Sequence, residues 1–162
     1  MICFKNILFT SLFVLNALAA LPAFATDDIV QIEMESLRQQ TSEDKERLVA
    51  ANMNLTESEA KAFWPIYDSY QNDLYKINVR LASVLNEYAL AYNKGAVMDD
   101  TAKKLLSEAI AIDLDEAKLK QSYVPKLSKA LPSVKVARYI QIENKIRAVI
   151  RYMLADAIPL VE

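Results

Sequence analysis

The sequence predicts an all-α protein of long bent helices, packed as an antiparallel hairpin or bundle with about four helical segments. Three observations carry that expectation. Apolar residues recur at alternating spacings of four and three over long stretches, as one face of a packed helix requires. No stretch reads as a strand. Gly95 is the only glycine in 162 residues, so the chain has few breakers.

The first 25 residues read as an export leader. Lys5 supplies the positive start, Ile7 to Leu21 is apolar apart from Thr10, Ser11 and Asn16, and Pro22 leads into Ala23-Phe24-Ala25. That small-x-small end predicts cleavage between Ala25 and Thr26. The apolar run is short for a membrane span, which needs about 20 residues. Cys3, the only cysteine, leaves with the leader. The exported chain is therefore expected to stand in an oxidising compartment, the periplasm, without a disulfide.

Residues 26–54 read as a polar N-terminal helical arm and residues 55–162 as the hairpin or bundle domain. In the arm, Ile29, Ile32, Leu37, Leu48 and Val49 are scattered apolar points, with a break near Thr41 and Ser42 as an N-cap. The next segment has the strongest start signal. Thr56-Glu57-Ser58-Glu59 is a capping box, in which the Thr hydroxyl accepts from one backbone amide and the Glu carboxylate from another. Phe63, Tyr67, Tyr70, Leu74, Ile77, Leu81, Val84, Tyr88 and Ala91 then form a seam ending at Lys94-Gly95. The aromatics on it read as core; Trp64 and Tyr92 read as partly exposed. A third segment starts at Asp99-Asp100, read as N-caps, and carries Leu105, Leu106, Ala109, Ile112, Leu119, Tyr123 and Leu127. The fourth opens at Pro132-Ser133, with proline in the first turn, carries Tyr139, Ile142, Ile146, Val149 and Met153, and stops at Pro159. Pro65 and Pro125 fall inside segments. Because the seam keeps register through Pro65, they predict bends rather than boundaries.

The composition excludes much chemistry. There is no histidine in the chain and no cysteine after the leader. Imidazole acid–base catalysis, thiol nucleophiles and Glu-x-x-His di-iron sites are thereby removed. Asp113, Asp115 and Glu116 lack the spacing of a calcium loop. Glu43, Glu57, Asp99, Asp100, Glu116 and Glu143 each precede a base by four residues, namely Arg47, Lys61, Lys103, Lys104, Lys120 and Arg147, which predicts helix-surface pairs. The expectation is a non-enzymatic chain with no cofactor and no metal.

Charge is split along the sequence. Between Lys118 and Arg151 lie nine bases and one acid, Glu143, whereas Thr26 to Ala117 holds eighteen acids and nine bases. Two readings stay open. The halves face each other within the fold or across an antiparallel dimer, or the basic stretch attracts anionic partners. On the second reading Lys135, Arg138, Lys145, Arg147 and Arg151 bind the partner, beside the stripe Tyr139, Ile142, Ile146 and Val149.

The sequence also repeats itself. Leu55-Thr56-Glu57-Ser58-Glu59 opens one helix and Leu131-Pro132-Ser133-Val134-Lys135 another, each with an aromatic eight residues after its leucine, Phe63 and Tyr139. With the leader and the helical body, these starts resemble the Spy/CpxP-type periplasmic proteins, marked by a repeated Leu-Thr-x-x-Gln. The stretches Phe63-Trp64-Pro65-Ile66-Tyr67, Leu131 to Lys145 and Ile158-Pro159-Leu160-Val161 are similar to uncharacterised proteobacterial exported proteins near that family. The motif positions are Leu55, Thr56 and Glu59, then Leu131, Pro132 and Lys135. Glu59 replaces Gln in the first copy; Pro132 and Lys135 replace Thr and Gln in the second. The resemblance implies curved α-hairpin dimers that chaperone unfolded envelope proteins or report on envelope stress. Zinc-binding relatives use His, which this chain lacks. The expected partners are unfolded or sensor envelope proteins, with a homodimer and membrane-surface contact both open and nucleic acid excluded by export. The alternative is a structural or membrane-surface envelope protein without chaperone activity.

Overall fold

Three long helices follow a shorter one in the computed structural model, which describes residues 42–161. Helix α1 covers residues 42–53. Helix α2 is Glu57–Asn93, α3 is Asp99–Ala130 and α4 is Ser133–Ala157. No strand occurs among the described residues. The leader, its cleavage site at Ala25 and Thr26, and the arm before Ser42 lie outside them. The chain divides into Met1–Leu48 and Val49–Glu162. In the described part of the first, Arg47 pairs with Asp44.

The capping box forms as the sequence requires. The Glu59 amide donates to Thr56 Oγ1 at 3.3 Å and the Thr56 amide to Glu59 Oε2 at 2.7 Å. At the other end Lys94 is the C-cap, and Gly95, at φ +98°, takes the left-handed turn that a Cβ would strain. Asn54, at φ +47°, turns the chain from α1 into α2, a conformation asparagine tolerates.

Helix α3 runs antiparallel to α2. Tyr123 Oη donates to Asp73 at 2.7 Å, Arg80 reaches Glu108 and Asp115 at 2.8 Å each, and Lys104 reaches Glu87 at 2.7 Å. Helix α4 returns along both, antiparallel to α3 and parallel to α2. Its order is marked by Lys135 on Glu59, Gln71 on Glu143, Arg147 on Asn78, and Tyr88 Oη on the Pro159 carbonyl.

One end of this arrangement is an aromatic core. Phe63, Tyr67, Tyr70, Tyr123 and Tyr139 pack with Leu74, Leu127, Leu131 and Val136. The rings meet edge to face: Phe63 and Tyr139 at 5.1 Å, Tyr70 and Tyr123 at 5.3 Å. Val49 and Met53 are fully buried in the same cluster. The end of the expected peripheral arm is therefore core, because two apolar residues four apart on α1 share one face.

Further corrections have local causes. Met98, not Asp99 or Asp100, is the N-cap of α3, without a side-chain bond; the two aspartates sit in the first turn, where carboxylates favour the helix dipole. Pro132 is the N-cap of α4 and Ser133 its first residue. Leu106 and Val149 are exposed rather than core. Leu81 is half-buried, where the seam predicts burial. Of the expected pairs four residues apart, Glu116–Lys120 forms at 3.1 Å. Arg47 turns instead to Asp44, Lys104 to Glu87 and Arg147 to Glu116.

Both internal prolines leave their helices unbroken. Pro65 and Pro125 are exposed, as are Lys61 and Gln121 four residues earlier, whose carbonyls each proline deprives of an amide. Both positions lie on the solvent side, where a carbonyl left without its amide is open to water.

Candidate functional site

Beyond the aromatic end, the seam changes character. Glu116 on α3 and Glu143 on α4 occupy positions that the helix period assigns to the core, and they are 3% and 4% exposed. A buried carboxylate is costly unless bonded. Glu116 receives Lys120 at 3.1 Å, Arg147 Nε at 2.7 Å and Arg151 at 3.5 Å. Arg147 also donates to Asn78 Oδ1 at 3.0 Å, so one guanidinium joins all three long helices. Gln71 Nε2 donates to Glu143 at 2.9 Å and to Tyr139 Oη at 3.3 Å. Burial acts to raise the Glu116 carboxyl, but Lys120 and Arg147 outweigh it and hold it below the usual carboxylate range. Burial, then the nearby Glu143 charge, pushes the Tyr139 phenol far up.

An open cleft of about 360 Å³ lies over this network between α3 and α4. Asp113, Lys120, Asn144 and Arg151 are among its walls. Its charges are paired with one another: Arg151 with Asp113 at 2.5 Å, and Lys120 with Asn144 Oδ1 at 3.1 Å as well as Glu116. The three carboxylates weighed as a cation site are likewise engaged by bases, Asp113 by Arg151, Asp115 by Arg80 and Glu116 by Arg147.

The two motif copies meet. Lys135 donates to Glu59 Oε2 at 2.5 Å and to the Asn54 carbonyl at 2.7 Å. The last position of one copy thus clasps the last position of the other, and Lys135 with the Thr56 amide draws the Glu59 carboxyl below its ordinary range. Leu131 is buried in the aromatic core and Leu55 packs against it, while Thr56 and Pro132 serve as the two N-caps.

Of the five candidate partner-binding residues, Lys135, Arg147 and Arg151 are therefore bound to acids within the fold. Arg138 and Lys145 are exposed. They lie seven residues apart, two helical turns, on one outer stripe of α4: Val134, Arg138, Gln141, Lys145, Val149 and Tyr152. Every member is exposed, Val134 and Tyr152 both at 74%. Arg138 makes no ion pair among the described residues. Sequence reasoning placed Glu116 and Glu143 in helix-surface pairs, whereas both are buried, and it missed Asn78 and Gln71. The available signal was position: Glu116 stands four after Ile112, and Glu143 four after Tyr139.

The fold and these surfaces define an all-α bundle with a polar-centred half and a mixed cationic–apolar outer stripe. Comparison with protein-family models, curated proteins and solved structures finds no match.

Proposed function

We propose that this chain is a periplasmic, non-enzymatic helical binding protein of the Spy/CpxP kind, a chaperone or envelope-stress adaptor that holds unfolded or sensor proteins on the outer stripe of α4. The observation that carries the reading is the exposure of Val134, Val149 and Tyr152 on the same face as Arg138 and Lys145. Apolar side chains gathered beside cations on one stripe suit a contact face better than apolar residues exposed singly. An unfolded polypeptide offers both acidic and apolar groups. Long-range attraction to the cations speeds encounter, and small apolar contacts then hold weakly enough for release.

The test is suppression of aggregation of an unfolding protein at low salt, comparing the parent with a variant carrying Arg138→Gln, Lys145→Gln, Val134→Ser and Tyr152→Ser. None of these side chains is buried, so circular dichroism should be unchanged while protection falls several-fold. Equal protection by parent and variant contradicts the reading. Loss of binding to anionic vesicles, with no protection of a client by the parent, favours the membrane-surface alternative.

A further inference from the structure

The cleft between α3 and α4 is walled by more bases than acids. Lys120, Arg147 and Arg151 stand against Asp113 and Glu116, an excess of one positive charge. Two of the bases already fill the buried Glu116, Lys120 at 3.1 Å and Arg147 Nε at 2.7 Å. Arg151 reaches that carboxylate only at 3.5 Å and takes its close partner, Asp113, at the rim. The side chains of this rim pair are 48% and 59% exposed. An ion pair so open to water adds little, and an entering anion displaces Asp113 at small cost.

Hydrogen-bond donors are left over on both walls. Lys120 spends two of its three, on Glu116 and on Asn144 Oδ1. Among the described residues, the Asn144 amide nitrogen and Arg151 Nε and Nη1 meet no acceptor. Ala117 on α3 and Ala148 on α4, both exposed, leave the space between these groups open.

We propose that this cleft binds a phosphate group, held by Lys120 from α3 and by Arg151 and Asn144 from α4. A carboxylate offers two oxygens in one plane and suits a single guanidinium. Donors arriving from two walls suit a tetrahedral anion, whose oxygens point several ways. Arginine gives it a fork and lysine a point charge. Arg147 does not serve it directly: it is spent on Glu116 and Asn78, and with Lys120 it neutralises the carboxylate beneath the anion. The opening of about 360 Å³ holds a phosphate together with part of the group that it esterifies. Free phosphate and the phosphomonoester headgroup of a lipid share this chemistry. The proposal does not rest on the outer stripe of α4, since the variants that test it leave Val134, Arg138, Lys145 and Tyr152 in place.

Calorimetric titration of the chain with inorganic phosphate at low chloride should show one site. Ala148→Leu fills the cleft from an exposed position, and Arg151→Gln removes the fork. Each should weaken binding several-fold with unchanged circular dichroism. Asp113→Asn removes the competing carboxylate and should tighten binding several-fold. Asp115→Asn, the same change of charge where α3 meets Arg80 of α2, should stay close to the parent. Flotation with phosphatidylcholine vesicles containing phosphatidic acid tells the two sources apart. Flotation that free phosphate competes away and that Ala148→Leu abolishes supports a lipid phosphate; calorimetric binding without flotation supports a soluble one. A parent that binds phosphate in neither form overturns the proposal. So does binding that Ala148→Leu leaves unchanged, or that Asp113→Asn and Asp115→Asn alter alike.

Discussion

The aromatic end of the bundle and the half centred on Glu116 follow the same helix spacing and fill it differently. At the first, Phe63, Tyr67, Tyr70 and Tyr139 close on one another with Val49 and Met53 fully buried behind them. At the second, the seam positions of α3 and α4 hold Glu116, Glu143 and Arg147, while Leu106, Ile110, Val149 and Ile150 remain outside. The first region obtains its stability from burial and close packing. The second replaces apolar contact by a bonded ionic centre, which specifies how three helices align but contributes less net free energy than an apolar seam would. The difference teaches where each activity can reside. A partner-binding surface needs apolar groups left exposed: Val149 and Tyr152 are exposed where fewer apolar groups are packed inside, and Val134 carries the α4 stripe back to the aromatic end.

Substitutions should separate the two regions by size of effect. Phe63→Ala removes the ring that touches Trp64, Tyr67 and Tyr139, and should cost about 3–5 kcal/mol in chemical denaturation. A loss below 1 kcal/mol, on the order of a surface change, would mean that the aromatic cluster is not the main source of stability. Arg147→Met should cost less, about 1–3 kcal/mol, because Glu116 loses its best partner but keeps Lys120 and Arg151. If this variant were more stable than the parent, the ionic centre would be a net burden that methionine relieves by filling the seam.

Thr56→Ala should cost about 0.5–2 kcal/mol through one uncapped amide. Thr56→Ser should lie close to the parent, since serine keeps the hydroxyl. Identical behaviour of the two variants would contradict the capping box.

The smallest effect is one of shape. The Glu116 carboxyl in the fold lies below its ordinary value of 4.5, so its contribution is present above that pH and is lost as the pH falls through the lowered value. Glu59, Asp73 and Asp115 are lowered in the same sense by Lys135, Lys76 and Arg80. Denaturation midpoints of the parent should therefore fall on acidification below pH 4.5, and those of Glu116→Gln should fall less steeply. Parallel curves would show that Glu116 is not held in its charged form by the fold.

The fold was legible because its cues are local. The capping box, Gly95 and the seam from Phe63 to Ile77 each depend on neighbours in sequence, and each stands where the spacing puts it. The burial of Val49 and Met53 was not legible, since a short, mostly polar helix carrying Leu48, Val49 and Met53 does not announce that another element will cover it. The candidate surface was legible only in part. The run of bases between Lys118 and Arg151 is plain in the sequence, but its acids come from elsewhere in the chain: Glu59, Asp113 and Glu116. Composition counts charges without pairing them, and so Lys135, Arg147 and Arg151 looked as available as Arg138. What would have separated them is the period. Lys135, Tyr139, Glu143 and Arg147 follow one another every four residues along the inner face, whereas Arg138 and Lys145 fall on the outer one.

The central claim is that the outer stripe of α4 holds an unfolded polypeptide through cations and small apolar contacts. Its most direct measurement is the affinity of the chain for a fluorescently labelled, permanently unfolded polypeptide with acidic and apolar residues, taken across a salt series. Binding should weaken steadily toward physiological ionic strength, where screening shortens to about 8 Å, and the Arg138→Gln, Lys145→Gln variant should start several-fold weaker and depend less on salt. Binding that is absent at low salt, or that is equally tight in parent and variant across the whole series, would contradict the account.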